Sequence, residues 1–439
     1  MKNGDDVAAK NAVRGVVSQR RRRAPAAVRA GYRSIDRAVD LVDVLEYTRP
    51  AEMDAAGLLR ASLAETPWSD DYWPIYAGGL GRRYADPGFP SSSDWKENFD
   101  YIREHPAQAI VRSGDQGAID RLSPSEKHEL LIGDASGALT TAMWDEGRQY
   151  HERDGKVELW MGLCHGWAPA AYMLRRPRKM VSVKAADGRT ELRFFPSDIE
   201  ALATLLWAKA GAPTRFIGSR SNERSPRFDE VGRVLSPAAF DTNPGTWHLC
   251  VVNQIAVAQR SFILDVTYDY EVWNQPVHSY EDTYFNPQTL EPAADVGRAT
   301  VPRDRFTNDK FRRYRDVPFA SVLGVSMTVH YVVETSPTHA KMDDPSRDQV
   351  HSTDYRYDLE LDAEGKVVGG EWYQSTHPDF LWTPPPRARA ATGAEHLATG
   401  RWTAQAPLPA SWRRAASSMA GRSLPLARIV EQLIDLASA

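Results

Sequence analysis

The sequence predicts an α+β fold in which a helix headed by a cysteine packs against an antiparallel sheet. A helical segment precedes this core and a tail helix follows it. Three observations lead there. The stretch 158–171 sets Cys164 between Gly162 and Gly166, with Trp160 and Trp167 outside them, and opens a run of small residues of helical character. Strand-like runs follow at 246–258, 261–267, 322–334, 355–361 and 367–373. The turn Asp362-Ala-Glu-Gly365 joins the last two into a hairpin.

Composition narrows the class. The chain has 439 residues, long enough for two or three units, and its 13 Trp and 17 Tyr supply a substantial core. A formal charge of −4 gives no argument for nucleic acid or an anionic membrane as partner. No apolar run approaches the roughly 18 residues of a transmembrane helix. No apolar stretch follows the polar start, so a cytoplasmic protein is expected. Two cysteines do not make a disulfide framework.

Taken in order, residues 1–63 read as a polar arm, basic at Arg20 to Arg23, and a lead of two helices broken by Pro50. Residues 64–100 form an exposed aromatic loop from Trp68 to Tyr76, where Asp70 and Asp71 cap turns. Ser123, Pro124 and Glu126 are N-cap, N1 and N3 of a helix, and 138–153 is another. Strands 181–184 and 192–195 flank the Asp187-Gly188 turn, and a helix from Ser197 ends before Gly211. The acids Asp358, Glu360, Asp362 and Glu364 lack the spacing of a calcium loop and read as a solvated strand edge. After Pro384-Pro-Pro386 a Pro/Ala/Arg-rich linker leads to an amphipathic helix at 424–436. The division is therefore 1–63, a catalytic domain at 64–383, and a tail at 384–439.

Cys164 at a helix N-terminus is placed for nucleophilic work, since the helix end favours thiolate and its free N–H groups can hold an oxyanion. A thiol nucleophile needs a base, and the base an orienting group. His248 enters the 246–258 strand after a Pro-Gly turn, and Asp265 ends the apolar run Phe262-Ile-Leu. Cys164, His248 and Asp265 are the candidate triad. A bulge is needed to bring Asp265 to His248, so Asp241 and Asn253 are reserve orienters. Trp160, Trp167 and Trp247 are candidate walls of an acyl site, and Asn253 a substrate or oxyanion contact. His165 is a weaker alternative base, because adjacent helical residues diverge. Cys250 reads as a small core residue, with oxidation to Cys164 the alternative. No metal site is predicted. The order Cys, His, Asp is that of papain/transglutaminase-like thiol enzymes.

The segment Tyr270-Glu-Val-Trp-Asn-Gln-Pro-Val277 carries a more specific signal. Val272-Trp-Asn-Gln-Pro-Val277 resembles the core of the elicitor peptide of oomycete cell-wall transglutaminases, the transglutaminase elicitor family. The resemblance runs over about 66–382. It includes Trp160-Met-Gly-Leu-Cys-His-Gly-Trp167, Pro196-Ser-Asp-Ile199, Asp241 to His248 with Val251-Val-Asn-Gln254, Gly369-Gly-Glu-Trp-Tyr373 and His377-Pro-Asp-Phe380. It implies a protein-glutamine γ-glutamyltransferase with Cys164 as nucleophile, a glutamine or other acyl donor, and an amine acceptor. No cofactor is implied by the residues, and calcium is left open. The chain departs from the family in showing no secretion signal, in having fewer cysteines and in reading His278-Ser-Tyr-Glu-Asp282 after the shared segment. Within that segment Trp273 is expected in a core and Pro276 at a strand end. The alternatives are a cysteine hydrolase with the same triad, amide formation on small-molecule or carrier-bound acyl groups, and a non-catalytic binding protein.

Overall fold

Alternating apolar residues along twelve strands fix which side chains meet which layer. In the computed structural model, which describes residues 36–235, 242–315 and 318–438, these strands are β1 (Arg60–Ser62), β2 (Val181–Lys184), β3 (Glu191–Phe194), β4 (Arg215–Gly218), β5 (Ile263–Asp265), β6 (Asn274–Phe285), β7 (Pro292–Ala293), β8 (Thr300–Pro302), β9 (Ser321–Val333), β10 (Gln349–Leu361), β11 (Val367–Trp372) and β12 (Phe380–Thr383). One curled antiparallel sheet has the order β11-β10-β9-β6-β5-β12-β4. Strands β1 and β7 add to β6, β8 adds to β9, and β2 and β3 form a separate hairpin. The expected strand at 322–334 and the hairpin about Gly365 are both present; Gly365 has φ 77, which the turn requires.

Seven helices matter to the site: α1 (Pro124–Ile132), α2 (Ala138–Asp154), α3 (Cys164–Met173), α4 (Pro196–Lys209), α5 (Pro244–Val251), α6 (Ala410–Ala420) and α7 (Ala427–Ser438). Helix α1 starts as its sequence signals: Ser123 Oγ accepts the Glu126 N–H, and Glu126 returns the bond to the Ser123 N–H. Lys127 of α1 and Asp198 of α4, both buried, meet at 2.6 Å and tie the two helices together.

The sheet separates two cores. Ile263, Phe380 and Trp382 point to one face, where they pack on Ala168 of α3. Their neighbours Phe262, Leu264 and Leu381 point to the other, where they pack with Trp247 of α5. Helices α3 and α5 therefore lie against opposite faces. Helices α1, α3, α4, α6 and α7 share the larger helical core.

Several expectations change. Residues 246–258 are not a strand but α5 followed by a π-helical turn, Val252–Val257. Asn243 accepts the Gly245 N–H and Pro244 occupies N1, so the Asn-Pro-Gly turn is a helix start. The apolar run alone did not distinguish the two. Consequently β5 pairs with β6 and β12 rather than with 246–258. Pro50 likewise begins a helix, Pro50–Ala55, after an extended strap. Strand β6 replaces the expected strand end at Pro276, which sits beside a register shift at Val277/Ser279 where a missing N–H is tolerated. Trp273 is half-buried against Tyr72 rather than in a core.

The aromatic loop is not exposed, since Trp68 and Trp73 are buried in the helical core. The segment after Pro386 packs Ala390, Ala394, Ala398, Trp402 and Leu408 into that core and is no free linker. Asp358 and Glu360 are not a solvated edge: both are buried on Arg315, at 2.5 and 3.0 Å. The basic run Arg20 to Arg23 and the reserve orienter Asp241 lie outside the described residues.

Candidate active site

Cys164 is the first residue of α3 and is buried. Two glycines set its place. A Cβ on Gly166 would run into the Thr204 carbonyl oxygen of α4, and one on Gly162 into the Tyr72 carbonyl. Their role is close packing of α3 on α4 and on the aromatic loop. The Leu163 N–H also donates to the Tyr72 carbonyl, at 2.5 Å.

The thiol faces the Val-Trp-Asn-Gln segment. Its S–H lies 3.7 Å from the Val272 carbonyl oxygen, and Asn274 Nδ2 donates to Sγ at 3.6 Å. The same carboxamide accepts from Trp382 Nε1 at 2.7 Å through Oδ1. Gln275 Nε2 reaches both oxygens of Glu334 at 3.0 Å.

Burial pushes the Cys164 thiol up to about 11, and the carboxylates of Glu334 and Asp265 push the same way, against the backbone and side-chain N–H groups of Asn274. The helix end was expected to favour thiolate, yet desolvation dominates here. Glu334 is itself raised by burial, opposed by Gln275.

Asp265 lies on the thiol's side of the sheet and is fully buried. Its Oδ1 accepts from Thr267 Oγ1 at 2.8 Å, Thr267 N at 3.3 Å and Trp273 N at 3.1 Å. Burial first, then the neighbouring Asp379, raises its pKa well above the usual carboxylate range. Among the described residues it accepts from no imidazole.

The structure does not bring His248 to Cys164. His248 sits on α5, across the sheet, with Nδ1 2.9 Å from the Tyr357 hydroxyl and 3.9 Å from Asp282. Burial lowers it to about 4. Trp247 is in the same core, among Tyr355, Trp372 and Phe262. Asn253 holds the N-terminal strap: Oδ1 accepts from Glu46 N and Tyr47 N, and Nδ2 donates to the Tyr47 and Leu249 carbonyls, all at 2.9 Å. Cys250 is a buried free thiol in that core, and Cys164 is free as well.

On the thiol's side, Trp167 is wholly buried and donates to the Trp68 carbonyl at 3.0 Å. Trp160 is half-buried, edge-on to Tyr270 at 5.9 Å. His165 is buried, lowered to about 4 by desolvation, and faces Ala208 of α4. Sequence reasoning missed Asn274, Gln275, Glu334 and Trp382. The adjacent carboxamides of Asn274 and Gln275 in an otherwise apolar segment were the available signal, since buried amides demand partners.

These features define a mixed helix-and-sheet protein with a curled antiparallel sheet and a buried cysteine at the head of a helix against it. The model of the transglutaminase elicitor family matches residues 45–397, and the chain belongs to that family. The crystal structure of the GP42 transglutaminase from Phytophthora sojae is similar in fold, with a TM-score of 0.53 over 90% of this chain and 94% of that one, at 18% identity. A search of curated protein sequences gives no match. Family and fold together support a transglutaminase-related function.

Proposed function

We propose that the protein is a thiol acyltransferase that uses Cys164 to form a thioester with a glutamine carboxamide. The observation that carries this is the position of Cys164, first in α3 and facing the Val-Trp-Asn-Gln segment, in a chain of this family. Glu334, a buried carboxylate held by Gln275 Nε2 beside the same segment, receives the proton in this reading. The sulfur attacks the carboxamide carbon, the C–N bond breaks, and the proton passes to the leaving nitrogen, which departs as ammonia. An amine then attacks the thioester. A C–N bond forms, the C–S bond breaks, and the amine's proton returns through Glu334 to sulfur. The papain-like arrangement of a cysteine helix against an antiparallel sheet belongs to this reading, and so does a reducing, cytoplasmic setting for its two free thiols. The chemistry uses no cofactor. Among the described residues no helix is long and apolar enough to cross a membrane.

Incubation with a glutamine peptide and a fluorescent amine tests the proposal. Incorporation is expected, with loss in Cys164→Ser and retention in Cys250→Ser. Ammonia released without incorporation marks a hydrolase and ends the transferase reading. Incorporation surviving in Cys164→Ser ends the site assignment. The thiol's burial and raised pKa favour a second reading, a non-catalytic member of the family. Neither ammonia nor incorporation would establish that one.

A further inference from the structure

The Asn274 carboxamide is buried, and its orientation is not free. An indole N–H can only donate, so the atom 2.7 Å from Trp382 Nε1 must be the carbonyl oxygen. The amide nitrogen is thereby turned toward the Cys164 sulfur, 3.6 Å away. The backbone N–H of the same residue acts on the sulfur in the same sense. Across from these donors, the Val272 carbonyl takes the S–H of the resting thiol. The sulfur therefore meets an acceptor suited to its protonated form and donors suited to its ionised form, from residues two apart in one segment. Strand register holds the donor side, because Asn274 pairs with Asp265 at the start of β6.

We propose that Asn274 is a catalytic residue whose carboxamide N–H, fixed in orientation by Trp382, donates to the Cys164 sulfur as it ionises and to the oxyanion formed when that sulfur attacks a carboxamide carbon. Trp382 is a positioning residue, acting only through Asn274. The adduct needs such a donor: as the C–S bond forms, the carbonyl π pair moves onto oxygen, and collapse returns it with loss of the C–N bond. This rests on the acyltransferase reading above for its second half, while its first half concerns the thiol alone.

The test uses the full chain with Asn274→Ala and Trp382→Phe, and two readouts. One is the pH dependence of iodoacetamide labelling at Cys164, resolved from Cys250 by peptide mass. The other is the split of amine incorporation into kcat and KM. In Asn274→Ala the pH at which labelling begins rises by roughly one unit, and kcat falls roughly 10²-fold with KM within about threefold. Trp382→Phe moves both in the same direction by less, and it keeps the test alive if Asn274→Ala does not fold. A purely structural Asn274 would lower stability and leave the labelling profile in place. An unchanged labelling profile in folded Asn274→Ala overturns the proposal, and with an active parent it leaves the transferase reading intact. A shifted profile in a parent that incorporates no amine sinks the transferase reading and retains Asn274 as the group that sets the thiol's reactivity.

Discussion

Trp273 donates its backbone N–H to Asp265 Oδ1 at 3.1 Å, and Thr267 holds the same oxygen through its hydroxyl at 2.8 Å. One carboxylate thus ties both ends of the 267–273 turn, which carries the Val272 carbonyl over the Cys164 sulfur. Arg220 reinforces the turn by donating to the Tyr270 carbonyl at 2.9 Å. Asp265 is a fastener of the cover over the thiol.

Asp265→Ala is therefore expected to speed iodoacetamide labelling of Cys164 at pH 8.5 by about tenfold. The turn that covers the sulfur is released, and a carboxylate that raises the thiol pKa is removed as a smaller contribution; a tenfold change is about the size of one pKa unit in thiolate. Labelling is read by peptide mass over time. If Asp265 served to orient a base, its loss would lower amine incorporation and leave labelling no faster.

His248 supplies a second discriminating variant. Its Nδ1 meets the Tyr357 hydroxyl in the core on the α5 face of the sheet. His248→Ala leaves that hydroxyl only the weak Met327 Sδ acceptor at 3.8 Å and opens a cavity, at a cost of about 2–3 kcal/mol in urea unfolding. Amine incorporation per folded molecule is expected to stay within about threefold of the parent, as α5 lies across the sheet. A fall in kcat of roughly 10³-fold with stability unchanged would place the imidazole at the thiol.

Much of this was legible in the sequence, and the failures share a cause. Helix α1, the β2–β3 hairpin, β9 and the Gly365 hairpin follow from local caps, turns and alternation. Cys164 at a helix start was legible for the same reason. The 246–258 segment failed because an apolar run buried on all sides has no period to read, and its Asn-Pro-Gly signal fits a turn or a helix start. That one error placed His248 on the wrong layer. Asn274, Gln275, Glu334 and Trp382 converge from β6, the end of β9 and β12, and no spacing in the chain announces a meeting of three strands. Charge was misleading at Asp358 and Glu360, where the partner Arg315 is distant in sequence.

Buried ionisable groups predict a pH dependence of stability. Burial raises Glu129 and Glu371 to about 8 and Glu360 to about 7, from an ordinary 4.5. Their contribution is complete below the unfolded pKa and is lost as pH rises through the folded values. His128 and His248 are lowered by burial to about 4 from 6.5, so theirs is complete above 6.5 and is lost as pH falls toward 4. The two groups oppose each other between about 4.5 and 6.5, and the carboxyls act alone above that. The urea midpoint should fall between pH 6.5 and 8.5, and Glu129→Gln, which keeps the acceptor for the Thr140 N–H, should flatten the fall. A midpoint that rises over this range would show those carboxyls ionised in the native protein.

Arg315 offers the largest single effect. Its guanidinium, about 1% exposed, lies 2.8 Å from Asp309, 2.5 Å from Asp358 and 3.0 Å from Glu360. These acids come from a loop and from β10, so one cation holds the sheet to the 303–315 segment. Arg315→Met removes it and leaves three carboxyls buried together. Breaking a buried ion cluster in this way costs about 3–5 kcal/mol. The sign with pH is also fixed. Without the cation Glu360, already raised to about 7 by burial, loses the charge that lowers it, so acidification relieves the repulsion and alkali worsens it. The loss of stability should be larger at pH 8 than at pH 5.5, measured as the difference in urea unfolding free energy between variant and parent. Equal losses at the two pH values would mean that the acids find other cations, and a loss below about 1 kcal/mol that the cluster is open to water.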